Sequence, residues 1–320
     1  MKKTIFTVLA VAALVACAKE EVVTVNQEAI AFENAFVDNA TKTTDNSFSA
    51  AKLPTEFIVY GTTQHLGQDA VSIFNGVQVA KDGNVYKYST NNTQYWIDGN
   101  EYNFAALVNA AKADVTCSDL MPVSVAYTAV YDATTGDTPD LMYSTPVTRE
   151  GEATGNETVK FTFNHLLANV KFTIENTMTN NPELNLYEYT VTDIKINNAY
   201  TTGTCALATK SWSDQEDNNK VVKFGNVAAV GAATKKSAAS DYARLVIPGT
   251  YTDLNITFTL TTTLNSNVVN IENLTITPDV TFEAGKSYNL LISKNNPGEV
   301  IEFSVQTVTG WVNGGDVAAN

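Results

Sequence analysis

The sequence predicts an all-β protein folded as β-sandwiches, and three observations predict it. Apolar and polar residues alternate with a period of two along most of the chain, and the 3.6-residue spacing of an amphipathic helix is scarce. Runs of strand length recur every roughly 8–15 residues between polar turns, the pattern of sandwiches rather than of βαβ units. The composition is rich in Thr and Asn, carries 14 Tyr and 14 Phe, and is only 17% charged, which suits strands and loops better than Lys/Glu helices. With 44% hydrophobic residues the chain can build packed cores, and 320 residues are enough for two domains of ordinary size.

The first residues read as an export signal. Lys2 and Lys3 form a positive start, and an apolar run follows from Ile5 through Ala16, interrupted only by Thr7. That run is too short for a membrane-spanning helix and has the build of a signal peptide over residues 1–16. It ends in Leu14-Val15-Ala16-Cys17, which resembles a bacterial lipobox, so Cys17 is the expected site of diacylglyceryl and palmitoyl attachment. The alternative is an ordinary secretory signal with Cys17 a chance thiol. Two or three acyl chains would anchor the protein stably. The spacer Ala18-Lys19-Glu20-Glu21 favours outer-membrane display, and no later segment reaches the length of a membrane helix.

The net charge is -14, and without Lys2 and Lys3 it becomes -16, from 18 basic and 34 acidic residues. Arginine occurs only at Arg149 and Arg244. An acidic chain so poor in arginine is unsuited to phosphate backbones, so nucleic acid is excluded as a partner.

Strands are expected at Glu28–Val37, with Ile30, Phe32 and Phe36 on one face, and at Glu56–Gly61. Val85–Ser89, Gln94–Ile97, Glu101–Leu107, Val123–Tyr131, Asp140–Ser144, Thr158–Phe163 and Ala168–Glu175 follow. The second half offers Tyr187–Asn197, Val221–Phe224, Ala243–Ile247, Asn255–Thr263, Leu274–Phe282, Tyr288–Ser293 and Val300–Val308. Ala105–Ala113 alone has some helical look and reads equally well as a loop. The expected organisation is a signal peptide (1–16), a lipidated N-terminus with the first strand and a possible cleavage segment (17–55), an N-terminal sandwich (56–165) and an abutting C-terminal sandwich (166–320).

Catalytic chemistry is not legible. HExxH, CxxC, GxSxG and Walker patterns are all missing, and the chain reads as a non-enzyme that needs no cofactor or metal. His165, beside two strong strands, is expected to be structural, and His65 to lie in a loop. Cys117 and Cys205 are expected to be buried and unpaired, the alternative being an interdomain disulfide. The loop Ser213–Asn219 offers oxygens for Ca²⁺ but lacks the EF-hand glycine and terminal Glu, and reads better as a solvated loop. Tyr86, Tyr88, Tyr95, Trp96 and Tyr102 suit a sugar platform, although alternating aromatics are more often cross-strand core pairs.

An order of features along the mature chain resembles one family. The lipobox is followed by Ile30-Ala31-Phe32, then by Phe57-Ile58-Val59-Tyr60-Gly61. Next come Tyr95-Trp96 with Gly99, Tyr102, Phe104 and Ala106, and then Asp140-Leu141-Met142-Tyr143-Ser144. Phe161, Phe163, His165, Leu167 and Ala168 mark a junction, and Ser287-Tyr288-Asn289-Leu290 and Trp311 fit the last strands. In this order the chain resembles the fimbrillins, or type V pilins. The resemblance implies two tandem transthyretin-like β-sandwich domains, export as an outer-membrane lipoprotein, and a role as a fimbrial subunit in adhesion. It also implies that a protease removes the first strand and that a neighbouring subunit's strand fills the groove. The partners would be other copies or other fimbrial subunits, the outer membrane through the lipid anchor, and a host or bacterial surface ligand. The family's cleavage follows Arg, yet the basic residues between the first strand and the Phe57 strand are Lys42 and Lys52. These are the candidate processing sites, and cleavage there would need a lysine-tolerant protease. Val300–Val308 is the candidate donor strand, with Ile301, Phe303 and Val305 on one face, the alternative being the last strand of its own sandwich. A reading from a different class is a monomeric surface lipoprotein that binds a glycan or host ligand.

Cys17→Ala should abolish labelling by a fatty-acid probe in cells expressing the chain; a variant that still labels would refute the lipobox assignment.

Overall fold

The strands of the first half close into a ring. A computed structural model of the protein describes residues 28–37, 54–83, 85–131, 138–177, 186–217, 220–231, 237–294 and 300–308. Up to position 165 its strands are β1 (Phe32–Val37), β2 (Glu56–His65), β3 (Val71–Asp82), β4 (Val85–Lys87), β5 (Asn100–Val108), β6 (Val115–Ser118), β7 (Met121–Thr128), β8 (Met142–Ser144), β9 (Val147–Glu150) and β10 (Val159–His165). Seven of these follow one another as β2-β3-β4-β1-β10-β8-β5, and β5 pairs back to β2, with β9 added beside β5. Closure removes the open edges that would otherwise invite pairing. The interior is aromatic, with Phe57, Phe74, Trp96, Phe104, Phe161 and Phe163 all buried in one cluster. Gly61 is part of that packing, because a Cβ there would stand 2.9 Å from the Phe104 ring and 3.0 Å from Phe74.

The second half contributes β11 (Ala168–Asn176), β12 (Tyr187–Ile196), β13 (Thr202–Ala206), β14 (Ser211–Glu216), β15 (Val222–Gly231), β16 (Ser237–Ala239), β17 (Arg244–Val246), β18 (Gly249–Tyr251), β19 (Ile256–Leu264), β20 (Asn267–Ile276), β21 (Val280–Phe282), β22 (Ser287–Lys294) and β23 (Glu302–Val308). One sheet runs β16-β11-β22-β23, with β17 also on β11; the other runs β15-β12-β19-β20. Their inward residues share one core, including Phe172, Tyr189, Phe224, Phe258, Leu290 and Ile292. Alternation is clearest in β11, where Ala168, Val170, Phe172, Ile174 and Asn176 are buried and the residues between them are half-exposed. Asn265 and Ser266, both at positive φ, turn β19 into β20 as a two-residue hairpin loop.

A third sheet, β14-β13-β7-β6, draws two strands from each side of the 165/166 boundary expected from the sequence. It covers the outer face of the ring, where Tyr60, Ala105 and Leu107 pack with Val125, Cys205 and Leu207. The Trp212 indole fastens this layer by donating to the Leu166 carbonyl at 2.9 Å.

The all-β expectation is met, and several local expectations are corrected. Ala105–Val108 belongs to β5, and its four residues are buried in succession because both faces of the strand are covered. Gln94–Ile97 contributes only an isolated bridge from Tyr95 to Ala29, after a 3₁₀ turn at Thr90–Asn92. Leu274–Phe282 is the end of β20 and then β21, separated around Pro278, which has no N–H for a ladder. Ser213–Glu216 lies in β14 rather than in a loop, and His65 ends β2 with its Nδ1 2.7 Å from Asn100 Oδ1.

Cys117 and Cys205 are both free, and only Cys205 is buried. Burial pushes the Cys205 thiol up to about 12, whereas Cys117 lies exposed on β6. Alkylation of native protein should therefore modify Cys117 and spare Cys205 until denaturant is added. Equal rates at the two thiols under native conditions would contradict this packing.

Candidate functional site

The site is the place that β1 occupies. β1 runs parallel to β10, with Phe32, Glu33, Phe36 and Val37 paired to Val159, Lys160, Thr162 and Phe163. The register slips between Glu33 and Phe36. On its other side β1 meets β4 at a single pair, Phe32 with Tyr86. The residues just before β1 are held by main-chain bonds: Ile30 N–H donates to Gln94 O at 2.8 Å, Trp96 N–H to Glu28 O at 3.0 Å, and Val159 N–H to Ala31 O at 2.8 Å. The Tyr88 hydroxyl adds a bond to Ile30 O at 2.6 Å.

Side chains hold the strand more firmly than its ladder does. Ile30 and Phe32 are almost fully buried. The Phe32 ring stacks on Phe161 at 5.7 Å between centroids and meets Phe74 at 5.5 Å and Tyr88 at 5.7 Å edge-on. At the rim, the Glu33 carboxylate accepts from the Thr158 hydroxyl and lies 3.5 Å from Lys160 Nζ. The Thr158 hydrogen bond first, and Lys160 second, hold the Glu33 carboxyl below the usual carboxylate range. After Val37 the described chain resumes at Pro54, whose carbonyl accepts from the Tyr86 hydroxyl at 2.5 Å beside the same slot.

Other residues marked in the sequence fall as follows. Cys17, Lys42 and Lys52 lie outside the described residues. Ile301 and Phe303 are half-buried against the second-half core, and Val305 is exposed. Ile301 immediately precedes β23, which carries Phe303 and Val305, is the edge of its sheet and pairs antiparallel with β22 from Ser293–Glu302 to Ser287–Val308. Tyr86, Trp96 and Tyr102 are buried in the ring, so the five aromatics form no common sugar platform. His165 Nδ1 lies 2.6 Å from Asp140 Oδ2 at the end of β10, tying β10 to the segment before β8. Sequence reasoning missed β3, which forms the wall beyond β4. Bulges shift its pairing with β2 at two points, and Gly76 takes a positive φ, so no single phase of alternation runs through it.

Phe32→Ala should lower stability by about 3–5 kcal/mol in denaturant melts, the usual cost of emptying a buried phenyl site; a loss under about 1 kcal/mol would contradict a wedge role. Glu33 adds a pH dependence. Its carboxyl pKa is depressed in the folded state, so the stability it lends is present above the unfolded value and is lost as pH falls through the folded one. Glu33→Gln should therefore lower the melting temperature at pH 7 and leave it unchanged in strong acid. An equal deficit at both pH values would contradict the ionic contribution.

The model of the fimbrillin-like family matches residues 41–311 of the chain. No curated protein sequence matches it. Among solved structures, the fold is similar to a fimbrial protein from Bacteroides vulgatus at 13% identity, with a TM-score of 0.62 over 88% of this chain and 100% of that one. A candidate cell-adhesion protein from Bacteroides uniformis aligns at 17% identity over 89% of this chain and 98% of that one, with a TM-score of 0.49. The family match spans most of the sequence, from just beyond β1 to past the end of β23, and on that match the chain belongs to the fimbrillin-like family.

Proposed function

We propose that this chain is a structural subunit of a surface fimbria that supports adhesion, exported as an outer-membrane lipoprotein through Cys17 and assembled by donor-strand exchange. The observation that carries the reading is the seat of β1. It is one stave of a closed ring, is paired at a single position on its β4 side, and is wedged by Ile30 and Phe32 into an aromatic interior. Its connection to β2 runs through a polar stretch whose basic residues are Lys42 and Lys52. Cleavage there turns β1 into a separate peptide, and its loss opens a slot between β4 and β10. A strand entering that slot gains main-chain hydrogen bonds along the β10 edge and pockets for alternate apolar side chains. Head-to-tail filling of such slots does not close on itself and so makes a filament.

The donor in this reading is the C-terminal segment with Ile301, Phe303 and Val305. It alternates as β1 does and occupies a sheet edge, so it has only β22 to leave. Burying three such side chains in a neighbour's slot is worth roughly 5–8 kcal/mol before the entropy of association is charged against it. The fimbrial description of the structurally similar Bacteroides vulgatus protein agrees with this reading.

N-terminal sequencing of assembled material extracted from cells should begin at Thr43 or Leu53, and deletion of Val300–Asn320 should give a processed protein that stays monomeric. An intact N-terminus on assembled protein, or polymers from the truncated chain, would contradict the reading. A wild-type chain that is displayed but never polymerises would favour the monomeric ligand-binding alternative.

A further inference from the structure

The inward ladder of the second-half core ends in a polar rung. β11 and β22 run parallel, and their register pairs Val170 with Tyr288, Phe172 with Leu290, Ile174 with Ile292, and finally Asn176 with Lys294. Every residue of these four rungs is buried. Three rungs are apolar, and the fourth sets a lysine beside an asparagine on the same inward face. Paired residues on adjacent strands lie about 4.8 Å apart, close enough for a lysine amine to reach a neighbouring carboxamide.

The surroundings supply what joining them needs. The Lys294 side chain is 5% exposed, and its Nζ lies 3.6 Å from Glu272 Oε2. Glu272 comes from β20 in the opposite sheet, where it pairs with the buried Leu260. Its Oε2 is buried and makes no hydrogen bond among the described residues. Asn176 is fully buried, and its Nδ2 donates to Val230 O at 3.2 Å and Tyr187 O at 3.4 Å. The Thr177 N–H and hydroxyl tie the two strand ends by donating to Lys294 O at 3.3 and 3.4 Å. The ammonium is buried and forms an ion pair with a carboxylate whose side chain is 34% exposed, and covalent capture removes that buried charge.

We propose that Lys294 and Asn176 join as an intramolecular amide, with Glu272 as the proton carrier. Glu272 takes a proton from the Lys294 ammonium, and the freed amine attacks Asn176 Cγ. The Nζ–Cγ bond forms, a second proton passes from Nζ to Nδ2, and the Cγ–Nδ2 bond breaks. Ammonia departs and takes up the proton held on Glu272, leaving as ammonium. Nothing is oxidised or reduced, and no further reagent enters. The bond would clamp the first strand of the second-half core to its penultimate one, whatever the protein assembles into.

Trypsin digestion of the denatured full-length protein, followed by mass spectrometry, tests this. The crosslink predicts a branched species joining peptide 172–195 to 287–320, uncut after Lys294 and lighter by one ammonia, about 17 Da. Glu272→Gln, which keeps the side-chain size, should return the separate linear peptides 172–195, 287–294 and 295–320, and Lys294→Met should also lack the branch. Wild-type protein that yields only linear peptides would overturn the proposal, and so would a branch at another residue. A branch undiminished in Glu272→Gln would overturn the role given to Glu272.

Discussion

The first half depends on the wedge that Phe32 drives between β4 and β10. Its ring stacks on Phe161 and meets Phe57, Phe74, Tyr88 and Phe104 edge-on, so one side chain from β1 touches much of the aromatic interior. The backbone of the same strand is held on one side by a parallel ladder with a slip in it, and on the other by one pair. Burial therefore dominates over main-chain pairing in holding β1. Without it, two strand edges and an apolar floor would face water together, a combination that recruits another strand. The ring is thus complete only with β1 in its place between β4 and β10.

The rest of the molecule stiffens around that stave. The β13–β14 hairpin reaches from the second half to pair with β7, and Leu207, Cys205 and Trp212 pack over the outer face of β2 and β5. β1 pairs with no strand of this layer, and none of its described side chains packs in it. The edge strand β23 sits at the other end of the chain and has a single neighbour. Removing β23 breaks one ladder, and removing β1 breaks two, one of them a single pair.

Much of this was legible in the sequence, and the failures have physical causes. Clean alternation betrayed β10, β11, β12, β19 and β22, each with one face on a core. Phe32, Phe57, Phe104, Phe161 and Phe163 were legible as inward residues because each sits in phase within its strand. β3 was missed because bulges break its phase, and β13 and β14 because Thr202–Glu216 is polar and gains its burial only against β7 and the ring. Ala105–Ala113 looked helical because a strand covered on both faces loses its alternation. Of the candidate site, the β1 segment and its apolar face were legible, but its neighbours were not. Parallel pairing with β10, 125 or more residues away, leaves no local trace.

The most direct measurement is a cryo-electron microscopy structure of fimbriae from cells expressing this chain, traced at the slot between β4 and β10. If subunits complete one another, the density lying on Phe161 will continue into the C-terminal segment of the adjacent subunit. Density that instead continues from Ala29–Val37 of the same chain, in an assembled filament, would contradict strand exchange.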